Sequence, residues 1–111
     1  MPRDSRVYLD DILDATRKIK TYIGGLSKTE FLQDEKTLDA VVRNLEVIGE
    51  AVKKLPEDLR AKHPALEWKK MAGLRDILIH EYFGLDAEIV WDIIQNKVPA
   101  LDREVRTMLK D

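Results

Sequence analysis

Apolar residues recur along this chain at three- and four-residue spacing, the period of a helix with one buried face. Tyr8, Ile12, Ala15, Ile19 and Tyr22 mark a first helix that Asp4 or Ser5 can cap and that Gly24-Gly25 stops near Ile23. Ser27 followed by Glu30 has the capping-box pattern and opens a short helix through Phe31 and Leu32, ending near Asp34. Leu38, Val41, Val42, Leu45, Ile48, Val52 and Leu55 form the longest stripe, which predicts a helix over about residues 35–55. Gly49 lies inside it at a propensity cost of about 1 kcal/mol, and close approach of a neighbouring helix accounts for it best.

Pro56 breaks the run, and residues 57–63 read as a polar connector with one helical turn around Leu59. Pro64 suits a first helical position, so Leu66, Trp68, Met71, Leu74 and Leu78 predict a helix from there toward Tyr82 or Phe83. Gly84 ends it and Asp86 caps the next, about residues 87–96, with Val90, Trp91, Ile93 and Ile94. Pro99 restarts a final amphipathic helix carrying Leu101, Val105 and Met108. No alternating β-branched run of strand length occurs. The expected fold is all-α, a compact antiparallel bundle of four to five main helices plus a short one, with 1–111 as a single domain.

Composition narrows the function classes. A chain of 111 residues buries a limited fraction of its surface, so a dimer that shares a core or a site would relieve the shortage. Cysteine is absent, which excludes disulfides and thiolate metal sites, and the two histidines are far apart. No metal site and no cofactor are expected. No stretch approaches the roughly 20 apolar residues of a membrane span, and no signal-peptide core is present, so the expectation is a cytoplasmic protein without a membrane partner.

Charge is high in count and nearly balanced, with a formal net charge of -2, which speaks against wrapping a long polyanion. Its distribution is uneven. Residues 51–75 hold seven basic and three acidic side chains, whereas residues 76–111 hold eight acidic and four basic ones. A compact anionic target would be steered to the first region, where Lys53, Lys54, Lys69 and Lys70 are candidates for docking RNA or an acidic partner. Arg43 shares a helix face with Glu46 and Glu50, either as a polar patch or as an exposed ion network. Trp68 and Trp91 sit at core spacing and read as packing residues.

The chemistry concentrates in Arg75-Asp76-Ile77-Leu78-Ile79-His80-Glu81-Tyr82. On one helix Arg75 and His80 would stand about 140° and about 7.5 Å apart, an awkward pair within one copy that two facing copies in a dimer would close. Asp76 and His80, at i and i+4, can share a hydrogen bond that fixes the imidazole tautomer. Arg75 and Tyr82 share a face at i and i+7. A phosphate clamp, an acid or base and a hydroxyl donor suit RNA cleavage without metal: imidazole takes the 2′-OH proton and guanidinium binds the non-bridging oxygens. His63, in the polar connector before Pro64, is not a candidate for chemistry.

Arg75 and His80 fit R-x4-H, and Tyr82 extends it to R-x4-H-x-Y. With Arg43-Asn44-Leu45-Glu46, Ile48-Gly49-Glu50-Ala51, Tyr82-Phe83-Gly84-Leu85-Asp86 and Val90-Trp91, the chain resembles the HepT-like ribonuclease toxins of the HEPN superfamily, also called DUF86, over nearly its whole length. The resemblance implies a helical homodimer with Arg75 and His80 lining a cleft at the two-fold, and an endoribonuclease toxin of a type VII toxin–antitoxin system. It also implies a minimal nucleotidyltransferase (MntA-like) antitoxin that inactivates the toxin by AMPylation of Tyr82. Asp76 departs from the pattern, where a neutral polar residue is common. It either activates His80 or neutralises Arg75 and repels the scissile phosphate. The competing function is a non-enzymatic helical partner of a nucleotidyltransferase that presents a nucleotide or substrate.

Overall fold

The computed structural model describes residues 4–74, 76 and 86–110. Among them are helices α1 (Ser5–Ile23), α2 (Lys28–Leu32), α3 (Glu35–Lys53), α4 (Glu57–Ala61), α5 (Trp68–Ala72), α6 (Ala87–Asn96) and α7 (Val98–Lys110), and no strand. The fold is all-α, as the periodicity predicts.

The helix ends follow their local chemistry. The Asp4 carboxylate accepts from the Arg6 amide and caps α1. At its other end Gly24 closes the helix and Gly25 turns the chain with φ 82°, a conformation that favours glycine. Ser27 and Glu30 form the expected reciprocal capping box at α2. Asp34 caps α3 through the Thr37 amide, and Asp86 caps α6 through the Glu88 amide.

α3 is the axis of the bundle. α1 packs along it, α5 and α2 lie against it, and α7 packs on both α1 and α6. Val41, Val42, Leu45, Ile48, Val52 and Leu55 are buried, so the predicted stripe is the core, with Leu38 half-buried at its edge. Gly49 is buried on the same helix. The final stripe, Leu101, Val105 and Met108, is buried as well. Trp68 is buried and the Trp91 ring lies 5.1 Å from that of Phe31, so both indoles pack.

Three expectations need correction. α3 ends at Lys53 with Lys54 as its cap, short of residue 55, because Pro56 follows. The next helix does not begin at Pro64: residues 64–66 form a turn and bend, and α5 starts at Trp68. There the Trp68 indole donates to the His63 carbonyl at 2.8 Å, folding the connector back over the helix start. On α1 the buried face runs through Leu9 and Thr16 as well as Ile12, Ala15 and Ile19, leaving Tyr22 40% exposed. The expected boundary at Gly84, and the helix expected to continue through residues 77–83, lie outside the described residues.

Candidate functional site

Arg75, His80 and Tyr82 lie outside the described residues, so the site is approached from what surrounds that stretch in the chain. On its N-terminal side are α5 and Leu74, the latter helical and packed against the core cluster. Asp76, directly after Arg75, is also helical and exposed. After the stretch, Asp86 opens α6.

Asp76 is the one motif residue whose surroundings are described. Its carboxylate Oδ2 accepts from the Lys53 ammonium at 3.5 Å, with side chains 55% and 38% exposed respectively. Lys53 is the last residue of α3, where a cation also complements the helix dipole. The contact therefore joins the C-terminal end of the central helix to the position beside the motif arginine. The α3 partner lies 23 residues away along the chain and carries no local signal, while the expected pairing of Asp76 with His80 or Arg75 lies outside the described residues.

The other candidate cations differ from one another. Lys70 is held by Glu67 at 2.6 Å, and Lys97 reaches the same carboxylate at 3.0 Å. The hydrogen bond from Lys70 keeps the Glu67 carboxyl below the usual glutamate range, Lys97 adds to this, and the same bond to Glu67 raises the Lys70 ammonium. With Lys69, these side chains edge a cavity of about 490 Å³ between α3, α5, α6 and α7, walled by Leu45, Ile48, Met71, Ile93 and Leu101. An apolar wall of this kind is a poor bed for a phosphodiester. Lys54 is an exposed cap of α3.

Arg43 lies elsewhere, in a groove between α1 and α3 with Asp11, Asp14, Lys18, Tyr22 and Val47. Asn44 beside it is 8% exposed and donates to the Ala40 carbonyl at 2.9 Å, which satisfies one of its amide hydrogens within the helix. His63 is structural: its Nδ1 lies 2.7 Å from Glu104 Oε1 on α7. No group of three or more metal-ligand side chains is present among the described residues. No described helix is long and apolar enough to cross a membrane.

Set against known proteins, residues 12–108 match the Ribonuclease HepT-like family. A candidate RNase of Methanocaldococcus jannaschii is 52% identical over 100% of this chain and 93% of its own length. A candidate RNase of Caldanaerobacter subterraneus is 43% identical over 95% of this chain and 94% of its own. A candidate ribonuclease HepT of Thermococcus cleftensis is 39% identical over 99% of this chain and all of its own. No solved structure matches.

Proposed function

Because this chain belongs to the HepT-like ribonuclease family, we propose that it is an endoribonuclease whose reacting groups are Arg75 and His80. The observation that carries the reading is the family match across residues 12–108, which spans the whole R-x4-H-x-Y motif.

The reaction is an in-line transesterification. Neutral His80 removes the proton of a ribose 2′-OH, the 2′-oxygen attacks the adjacent phosphorus, and the bond from phosphorus to the 5′-oxygen breaks. The products are a 2′,3′-cyclic phosphate and a 5′-hydroxyl, the departing oxygen taking a proton from an imidazolium, either the same His80 or that of a second copy. Arg75 binds the non-bridging oxygens as their charge grows, and Tyr82 positions the phosphate or the leaving group. DNA lacks the 2′-OH and is not cut by this route. The donor set calls for no metal ion, and the homodimer is the arrangement that brings Arg75 and His80 onto one phosphodiester.

In this reading the protein is a cytoplasmic toxin of a type VII toxin–antitoxin pair. Its partner is a minimal nucleotidyltransferase antitoxin that AMPylates Tyr82. The added phosphate would put negative charge and bulk where the RNA phosphate binds, which supports inhibition at that position.

The test incubates purified wild type, Arg75→Ala and His80→Ala with mixed RNAs in EDTA and identifies the new 3′ ends. Cyclic phosphates that form with wild type and vanish in both folded variants are the expected result. A purified protein that cuts no RNA, yet forms a stable complex with the nucleotidyltransferase, would instead make it a binding partner.

A further inference from the structure

Charge counted along the chain points to residues 51–75, but folding gathers a different set of cations. Arg17 and Lys20 of α1 and Arg103 and Arg106 of α7 line one groove of about 490 Å³, floored by Ile19, Ile23, Ile94 and Val98. Asp102 is the one carboxylate among the described lining residues, so four cations face one anion. We propose that this groove is a docking track for the sugar–phosphate backbone of single-stranded RNA, with Lys20 and Arg103 as its phosphate-binding cations.

The choice of RNA rests on the ribonuclease reading; the groove rests on three observations. The first is how its charges are spent. Arg106 Nε donates to Asp102 Oδ2 at 2.9 Å and Arg17 to Asp14 at 2.7 Å, whereas Lys20 and Arg103 are the exposed cations outside those two pairs. The second is the fixed frame. The Thr16 hydroxyl, on a residue 4% exposed, donates to Asp102 Oδ1 at 2.9 Å and ties α1 to α7, so both walls are packed helices and the cations need little ordering. The third is the combination of surfaces: a cationic rim over an apolar floor, in the size range of ligand pockets, takes phosphates at its edge and ribose or base faces below. By contrast, Lys70 and Lys97, which edge the apolar cavity beside α5, share the Glu67 carboxylate.

The test separates docking from chemistry by substrate length. Lys20→Gln with Arg103→Gln removes both charges from exposed positions, and Lys20→Arg with Arg103→Lys keeps them. Binding of a fluorescent single-stranded RNA is read by anisotropy in the His80→Ala background, which leaves the strand intact. The Gln pair should bind about ten-fold more weakly, and its plot of log affinity against log salt should be shallower by about 1.4, the share of two phosphate contacts on a single strand. The charge-keeping pair should bind within about two-fold of the parent. With His80 restored, the Gln pair should raise KM for the same RNA and leave cleavage of a dinucleotide, which fills the cleavage site alone, unchanged.

Circular dichroism checks that each variant is folded. Weaker binding with the shallower salt slope supports the proposal. Unchanged binding in the folded Gln pair overturns it, and if that pair loses only its complex with the nucleotidyltransferase, the groove belongs to an acidic protein surface instead. An equal loss on the dinucleotide overturns it too, since the two charges would then act at the cleavage site. A parent that binds RNA through Lys20 and Arg103 while wild type cuts none defeats the ribonuclease reading and leaves the docking groove standing; cleavage that is indifferent to both residues does the reverse.

Discussion

The His63 imidazole lies 2.7 Å from the Glu104 carboxylate, with side chains 11% and 25% exposed, and so fastens the connector after α4 to the last helix. The same connector is held from its other side by the Trp68 indole, which donates to the His63 carbonyl at 2.8 Å. One residue thus anchors the start of α5 through its backbone and the surface of α7 through its ring.

His63→Ala and Glu104→Ala are each expected to lower unfolding free energy by about 1–2 kcal/mol, since a mostly buried hydrogen-bonded pair costs more to break than an exposed one. The double variant should lose little more than either single one, because both remove the same contact. Urea unfolding of the three proteins checks this. RNA cleavage per folded molecule should be unchanged in all of them, as neither residue belongs to the motif; a selective loss of cleavage in His63→Ala would mean that its ring does chemistry.

Phe31 is fully buried and its ring centroid stands 5.1 Å from that of Trp91, at an interplanar angle of 43°. The five-residue α2 has too few turns to be stable alone, so this side chain is what seats it against α3 and α6. Phe31→Ala should cost about 3–5 kcal/mol, a large part of the stability of a domain this size, and Phe31→Leu distinctly less. Thermal melts followed by circular dichroism would show it. A Phe31→Ala protein that melts with wild type would mean that α2 contributes nothing to the core.

What was legible in advance follows from how far each interaction reaches along the chain. The stripes of α3 and α7 and the caps at Ser27 and Asp86 are written within four residues, and they occur as read. Pro64 points to too early a start for α5 because it is a local signal, whereas the Trp68 bond to the His63 carbonyl and the His63 bond to Glu104 fasten the connector from a distance. Thr16 looks unremarkable on α1 until Asp102, 86 residues later, accepts its hydroxyl. For the candidate site, Arg75, His80 and Tyr82 are named by their spacing together with the likeness to the HepT-like family, and they lie outside the described residues. The Lys53 partner of Asp76 came only with the packing of the end of α3.

Asp102 predicts a pH dependence of stability. Burial pushes its carboxyl upward, but the hydrogen bond from Arg106 and then that from Thr16 outweigh it, so the folded protein holds the group below the ordinary aspartate value. A group lowered on folding contributes stability above its unfolded value and loses that contribution as pH falls through its folded one. Asp34 and Glu30 are lowered in the same direction, by their cap bonds to Thr37 and Ser27. Unfolding free energy should therefore stay level near neutrality and fall progressively below about pH 4. Asp102→Asn should lose about 1 kcal/mol at neutral pH and show a shallower decline in acid, measured by urea unfolding across the range. An equally steep decline would mean that Asp102 has no share in it.

Tyr82 supplies the test of regulation. If the nucleotidyltransferase acts on its phenol, the new bond joins the tyrosine oxygen to the α-phosphorus of ATP and pyrophosphate leaves, so Tyr82→Phe removes the acceptor atom while keeping the ring. Incubation with the partner and ATP should then add adenylyl groups to wild type and abolish its cleavage, with the added mass located on the peptide containing Tyr82. The variant should cleave more slowly, by about ten-fold or less if the hydroxyl only positions the phosphate, but that remaining activity should resist the same treatment. Two readings are thereby kept apart: the drop before treatment measures what the hydroxyl does in cleavage, and resistance after it measures whether this oxygen is where inhibition is written. Full inhibition of Tyr82→Phe by the partner and ATP would place the modified group elsewhere and leave Tyr82 with its part in cleavage alone.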